Sequence, residues 1–414
     1  MGSKGTEMRL VCRIWSVVLA VSLLFLAECQ TRGEVKLWEE IGSRQDLFIS
    51  GEDGYALYRI PGLVVSARGT VLAYCEARRD RGSDWGEIDL YLRRSSDGGR
   101  TWSARGLFSE FAGERAKNPA AREQKLGSAD RFTFNNPVMI ASRRGPLHLL
   151  YCFEYMRCLY RRSDDDGQTW SEPRDITQAL DPLKSRYPWR VVGLGPGHGL
   201  ELSAGRLLIP IWLSTGTGGH AHRPSVVSSL YSDDEGQTWQ VGEIAIPHSA
   251  DWVNPSETVA VERRDGSVLF NARNESAQHR RLITTSIDGA RGWSPPVFDP
   301  MLYEPVCMGS LISLRPSHPV WVFCNPWPFE SLSAQSPSRE RKHLALRVSR
   351  DEGRSWSAPW VFEPAPAAYS DLATLPDGTL LCLYERGAPP SAGIKPDPYQ
   401  FLSLRRFRLV PWPE

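Results

Sequence analysis

The sequence predicts an all-β fold built from repeated units. Three observations predict it: a recurring eight-residue turn, a recurring glycine-headed hairpin, and a regular alternation of the two. The turn reads Ser-x-Asp-x-Gly-x-Thr-Trp. It occurs at residues 95–102, 163–170 and 232–239; a fourth copy, 286–293, lacks the Gly and the Thr, and a fifth, 349–356, has Ser355 for Thr. The closing tryptophans are Trp102, Trp170, Trp239, Trp293 and Trp356, 54 to 69 positions apart, a period that marks one supersecondary unit per repeat. Each residue type has a mechanical reason. Ser and Asp side chains accept or donate to nearby backbone and hold a turn closed. Gly supplies positive φ, and Trp anchors the turn by burying a large ring.

Taken in order, the hairpins place a turn before a short apolar strand. Gly69 precedes 71–74, Gly145 precedes 147–153, Gly205 precedes 207–209, Gly266 precedes 268–270 and Gly378 precedes 380–384. Before residues 320–323 the turn is Pro316-Ser317-His318-Pro319 instead. An eight-residue turn follows each of the first five hairpins. Short strands bounded by turns indicate all-β structure, and six units suit a six-bladed β-propeller with these turns. The last unit has no such turn, so its outer strands are expected from 401–410 and 36–49, whose pairing would close the ring. Residues 103–130 and 330–340 are polar and unpatterned and read as surface loops.

A length of 414 residues suggests two or three domains at roughly 150 residues each. The repeat argues instead for one domain over 30–414. Residues 1–29 read as an export signal: Lys4, Arg9 and Arg13 precede an apolar run at 14–27 that is short for a membrane span. Leu26-Ala27-Glu28-Cys29 is similar to a lipoprotein cleavage site, with Glu28 where a small residue belongs. The expected location is therefore secreted, periplasmic or surface-bound, with membrane contact only through a lipid anchor. Six cysteines follow Cys29 (Cys75, Cys152, Cys158, Cys307, Cys324 and Cys382), mostly in strand-like runs, and read as buried thiols. A net charge of +1 argues against bulk nucleic-acid binding, so an anionic ligand must be met by a few placed cations. No metal-ligand spacing appears, and neither metal nor other cofactor is expected.

Tyr58-Arg59-Ile60-Pro61 stands ahead of the turn repeats. The repeat is the Asp box, and Arg-Ile-Pro followed by several Asp boxes resembles the signature of the sialidase (neuraminidase) superfamily, here from about Tyr58 to Glu385. The Asp box alone marks fold, since non-enzymatic propellers carry it. The resemblance implies three arginines on the substrate carboxylate: Arg59, Arg273 and Arg341. Planar guanidinium forks suit a fixed carboxylate better than ammonium does. It implies Asp84, six residues after Arg78, as the acid/base; Asp80 competes, and Glu87 and Asp89 lie near in sequence. Arg78 is expected beside the substrate carboxylate or the 4-hydroxyl region.

Tyr369 matches the family nucleophile and Glu257 its partner. The chemistry is reasonable, because sialic acid carries a carboxylate on its anomeric carbon that would repel an anionic nucleophile. A phenol avoids that repulsion but needs a base, with a pKa of about 10; such a Tyr is a known exception to the two-carboxylate rule. Glu385 resembles the Glu that orients Arg59. Asn136 falls where many relatives place an Asp near the N-acyl and 4-hydroxyl groups. His198, in Gly195-Pro196-Gly197-His198-Gly199, is either a substrate contact or part of a glycine-rich turn.

The resemblance thus implies a retaining exo-α-sialidase acting on terminal sialic acids of glycoproteins, glycolipids and oligosaccharides. Three rivals stand beside it: transfer of sialic acid to another sugar, hydrolysis restricted to deaminated sialic acid (left open by Asn136), and a non-catalytic glycan-binding propeller. The last predicts scattered loss of the arginines, Tyr and Glu, whereas all are present.

Overall fold

The structure is a computed structural model and describes residues 37–217, 219–314, 320–330, 338–388 and 397–410. The export signal and the Pro316–Pro319 turn of the sequence reading lie outside the described residues. The chain divides into two compact units, a small one of the two chain ends (Met1–Glu40 and Phe407–Glu414) and a large one, Ile41–Arg406. In the small unit Trp38–Glu40 pairs antiparallel with residues 407–409, and Trp38 packs edge-on to Phe407.

Among the described residues the large unit is all-β apart from two 3₁₀ turns and one short α-helix, Pro119–Glu123. Its first sheet contains Leu57–Val65, Val71–Arg78, Ile88–Ser95 and Gly106–Leu107. The second contains Phe134–Ala141, Leu147–Phe153, Arg157–Ser163 and Arg174–Asp175, with Gly197–His198 added in parallel. The third is built on Val191–Leu194, Leu207–Ser214 and Ser225–Ser232, and the fourth on Thr258–Glu262, Val268–Ala272, Arg280–Ser286 and Val297–Tyr303. Leu200–Glu201 and Gln240–Val241 extend the third sheet, and the remaining strands form one large sheet. Within it the 15-residue strand Trp360–Thr374 changes partner: up to Pro366 it pairs with Lys342–Ser349, and from Ala367 with Leu380–Arg386. The two chain ends also pair here, Gln45–Ile49 against residues 401–404.

The apolar runs become strands buried on both faces. All eight residues of Val71–Arg78 and of Leu207–Ser214 are buried, as continuous rather than alternating hydrophobicity requires. The core lies between consecutive sheets, and each Asp-box Trp joins a different part of it. Trp170 packs with Leu72 and Leu90 of the first sheet and Leu147 and Leu149 of the second. Trp239 lies between the second and third sheets, Trp293 between the third and fourth, and Trp356 between the fourth and the large sheet. Trp102 packs where the large sheet meets the first.

The Asp boxes close as the residue types dictate. Ser95 Oγ accepts from Gly99 N at 2.8 Å, and Thr101 Oγ1 donates to Asp97 Oδ2 at 2.6 Å. The same bonds recur at Asp165, Asp234 and Asp351. The degenerate fourth copy is one residue tighter. Gly289 N, not the fifth-position N–H, donates to Ser286 Oγ, and Gly289 takes the positive φ that Ala290 cannot. The five hairpin glycines (Gly69, Gly145, Gly205, Gly266 and Gly378) all have positive φ.

The hairpin glycines and an Asp-box glycine such as Gly167 differ in what a side chain would meet. At Gly69 (φ 86°) a Cβ finds nothing within 4 Å, whereas at Gly167 (φ 75°) it would lie 2.7 Å from Leu72 Cδ2. We expect G69A to cost about 1–2 kcal/mol, the left-handed penalty alone, and G167A measurably more. Urea midpoints test this, and equal losses would refute the packing argument.

The stretch 103–130 is not wholly a surface loop. Asn118 caps the short helix through Ala120 N, and Asn118, Ala120 and Ala121 are fully buried. Lys117 forms a buried ion pair with Glu154 at 2.9 Å. A polar composition hid this, because the buried polar groups are satisfied by partners far along the chain.

Candidate active site

The glycine turns cap one end of the strand pairs. The residues singled out in the sequence lie at the other end: Arg59 and Asn136 begin inner strands, Glu257 and Arg341 immediately precede strands, Arg273 follows one, and Arg78 and Glu385 close theirs. Tyr369 sits just past the partner change in Trp360–Thr374.

Arg59 is aimed by a strained backbone. Ile60 has φ 59° and the register slips between Arg59 and Gly62, a bulge in the Arg-Ile-Pro motif. A β-branched residue in this region is an outlier worth roughly 1–3 kcal/mol. Glu385 holds it. Its fully buried carboxylate accepts from Arg59 Nε at 3.0 Å, Ile60 N at 3.0 Å and Tyr369 N at 3.1 Å.

Tyr369 Oη donates to Glu257, 2.6 and 2.8 Å from its two oxygens, and accepts from Arg273 Nη1 at 2.6 Å. Arg273 Nη1 also reaches Glu257 Oε2 at 2.5 Å. The guanidinium carbons of Arg59 and Arg341 lie 5.2 and 5.3 Å from the Tyr369 ring centre. Three arginines from distant parts of the chain therefore converge on one phenol. Burial raises the Tyr369 pKa well above its usual value, while Arg273 and Arg341 oppose that rise and Glu257 adds to it. The group is thus a neutral phenol with a carboxylate in place to take its proton.

Asp84 bonds Arg78 Nη1 at 2.7 Å, and Arg78 also clasps Glu76 at 2.6 Å. Burial pushes Asp84 upward, but Arg78, His222 and Arg59 outweigh it and hold the carboxyl well below the ordinary range. Its side chain is nearly half exposed at 46%, which leaves it open to a ligand. The competing acids are engaged elsewhere. Asp80 and Glu87 lie near Arg131, and Asp89 accepts from Tyr55. Asn136 is placed under this group rather than in the open. Its N–H donates to Glu76 Oε1 at 2.9 Å, and its amide is used by Leu194 O and Asn135.

Several supporting residues gave no sequence signal. Tyr399 accepts from Arg341 Nη1 at 2.8 Å, and its ring lies 4.1 Å from the Arg59 guanidinium carbon. Arg341 also donates to Val306 O, at 2.9 Å. Val306 has φ 59°, and its loop is tied down by Glu304, which accepts from Cys307 N and from the fully buried Arg281. Beside Asp84, Trp85, Tyr155, His222 and Trp212 form a run of aromatic contacts with centroids 4.7 to 5.1 Å apart. Burial pushes the His222 imidazole down to about 4, so it is neutral near pH 7. The six cysteines among the described residues are buried free thiols, including Cys152 and Cys158, which face each other across adjacent strands.

Fold and site together define an all-β Asp-box protein with a cluster of arginines around a tyrosine. The family model described as "BNR repeat-like domain" matches residues 114–382. A sialidase of Micromonospora viridifaciens is 31% identical over 358 residues, covering 84% of this chain and 53% of that protein. A sialidase of Bacteroides fragilis is 28% identical, covering 81% and 61%. Human Sialidase-3 is 29% identical over 392 residues, covering 82% and 88%. The solved structure of Hadza microbial sialidase Hz136 superposes with a TM-score of 0.68 at 23% identity, covering 88% of this chain and 68% of that one. The chain belongs to the BNR repeat-like family and, with it, to the sialidase superfamily. It spans about half to three-fifths of the length of the two bacterial relatives.

Proposed function

We propose that this protein is an exo-α-sialidase that hydrolyses terminal α-linked sialic acid with retention of configuration. The observation that carries it is the Tyr369–Glu257–Arg273 contact set, with Arg59 and Arg341 flanking the phenol. Arg59, Arg273 and Arg341 hold the substrate carboxylate. Glu257 takes the phenolic proton as Tyr369 Oη attacks the anomeric carbon, and Asp84 delivers a proton to the departing glycosidic oxygen. A glycosyl–tyrosine intermediate forms. Asp84, now a carboxylate, removes a proton from water as that water attacks the anomeric carbon, and Tyr369 leaves with a proton from Glu257. Two inversions give retention. The depressed pKa of free Asp84 suits the second half of the cycle, which needs a carboxylate; the first half needs a proton that Arg78, the chief opposing charge, disfavours, so the mechanism requires bound substrate to raise the proton affinity of Asp84.

We propose with it that the sheets make a six-bladed propeller, a count supported by two features. Five core clusters each lie between consecutive sheets, and the partner change in Trp360–Thr374 divides the large sheet in two. We further propose that residues 30–414 are the catalytic domain and that 1–29 direct export.

The test is release of fluorophore from an aryl α-glycoside of N-acetylneuraminic acid by purified protein. No turnover by well-folded protein, with neither this nor the deaminated glycoside, would sink the assignment. D84N refines it. Turnover of a natural glycoside, whose leaving group needs a proton, is expected to fall about 10²–10⁴-fold, and turnover of the aryl glycoside much less. Equal losses on both would remove Asp84 from the acid role.

A further inference from the structure

His198 does not join the arginine–tyrosine cluster. It lines a cavity of about 360 Å³ together with Arg143, Glu201, Ser203, Glu262, Arg263 and Arg264. Arg143 lies in the turn before Leu147–Phe153, Ser203 in the turn before Leu207–Ser214, and Arg263 and Arg264 in the turn before Val268–Ala272. The cavity therefore sits at the glycine-turn ends of the strands, opposite to the Arg59–Tyr369 site. His198 Nδ1 is 2.7 Å from Asp371 Oδ1, and Asp371 is fixed by Leu63 N at 2.8 Å and Ser310 Oγ at 2.9 Å.

The charges around this cavity are unequally satisfied. Glu201 accepts from Ser142 Oγ, Arg143 N and Arg143 Nη2, and Glu262 accepts from Ser203 N and Oγ, each at 2.9 Å. Both carboxylates are thus engaged by their own wall. The guanidinium groups of Arg263 and Arg264 form no ion pair among the described residues, although Arg264 N donates to Glu352 Oε1 at 2.7 Å and Arg263 acts on the charge of neighbouring Asp265; Arg263 Nε is buried without a partner. Burial opposes protonation of His198, but Asp371 outweighs it and raises the imidazole pKa. With Nδ1–H directed to Asp371, Nε2 becomes a second donor when the ring is protonated.

We propose that this cavity is a second ligand site, for a small oxyanion of the phosphate or carboxylate class, held by Arg263, Arg264 and His198. Two guanidinium groups outside any ion pair and an imidazole, lining one cavity, offer charge-assisted donors, which is the chemistry such an anion needs. The proposal is independent of the reaction assigned to the opposite face.

Isothermal titration calorimetry of the full chain with inorganic phosphate, and separately with acetate, tests it. The comparison is the double variant R263A/R264A, whose substitutions lie in a surface turn; an unchanged circular-dichroism melt confirms its fold. The active-site arginines also attract anions, so the readout is stoichiometry. The wild type is expected to lose one phosphate or acetate equivalent in the double variant, while R341Q retains that equivalent. The tighter of the two probes identifies the anion class. No saturable binding by the wild type, or an isotherm unaltered in R263A/R264A, overturns the proposal.

Discussion

Tyr369→Phe is expected to lower kcat by about 10³-fold or more while ligand binding persists. The substitution removes one atom. It takes away the oxygen that contacts both Glu257 oxygens and Arg273 Nη1, and nothing else. The ring still packs, Arg273 still pairs with Glu257, and the three arginines keep their positions. Glu257 retains partial solvent access, so it is not left as an isolated buried charge. Two measurements check the result: kcat on the aryl α-sialoside, and calorimetric affinity for free N-acetylneuraminic acid. Lost turnover with retained affinity identifies the phenol as a participant in the chemical step. Unchanged turnover removes Tyr369 from the mechanism, and joint loss of affinity would mean that the hydroxyl organises the pocket.

Glu385→Ala should produce the largest loss of stability, about 3–5 kcal/mol, because it strands a mostly buried guanidinium. The effect goes beyond one ion pair. Ile60 N and Tyr369 N lose their acceptor as well, and the left-handed backbone at Ile60 loses what holds it. Glu385→Gln keeps an acceptor oxygen for one N–H but presents an amide to Arg59, so an intermediate loss is expected. Denaturant titration of the three proteins gives the order wild type, Gln, Ala. A Gln variant as stable as the wild type would show that the charge of Glu385 is unimportant. In any Ala variant that folds, KM should rise more than kcat falls, since Arg59 meets the substrate carboxylate in ground state and transition state alike.

What could be read in the residue order divides along the range of the interactions. Asp-box turns close over four residues, as between Ser95 and Gly99 or Asp97 and Thr101. Glycine-headed hairpins are equally local, and their conformational demand is written in the residue type. The same holds for the apolar runs, which became buried strands. The candidate site residues were named only by a family resemblance; composition and spacing could not have joined Arg59 to Glu385, 326 positions away, or Tyr369 to Glu257, 112 positions away.

Residues without a motif remained silent. Tyr399, the Arg281–Glu304 pair beneath Arg341, and the Trp85–Tyr155–His222–Trp212 run each matter through a neighbour that is distant in sequence. Polar composition concealed Lys117 and Asn118 in the same way. His198 shows the limit most clearly. The sequence left it between a substrate contact and a turn residue, and packing placed it in another cavity against Asp371, two residues beyond Tyr369 on the same strand. By itself the sequence determined the turns, the strands and the repeat, because those depend on neighbours a few residues apart. Which charges meet, and at which end of the strands, was decided only when the sheets packed, because a buried charge takes its partner from whatever the tertiary structure brings within reach.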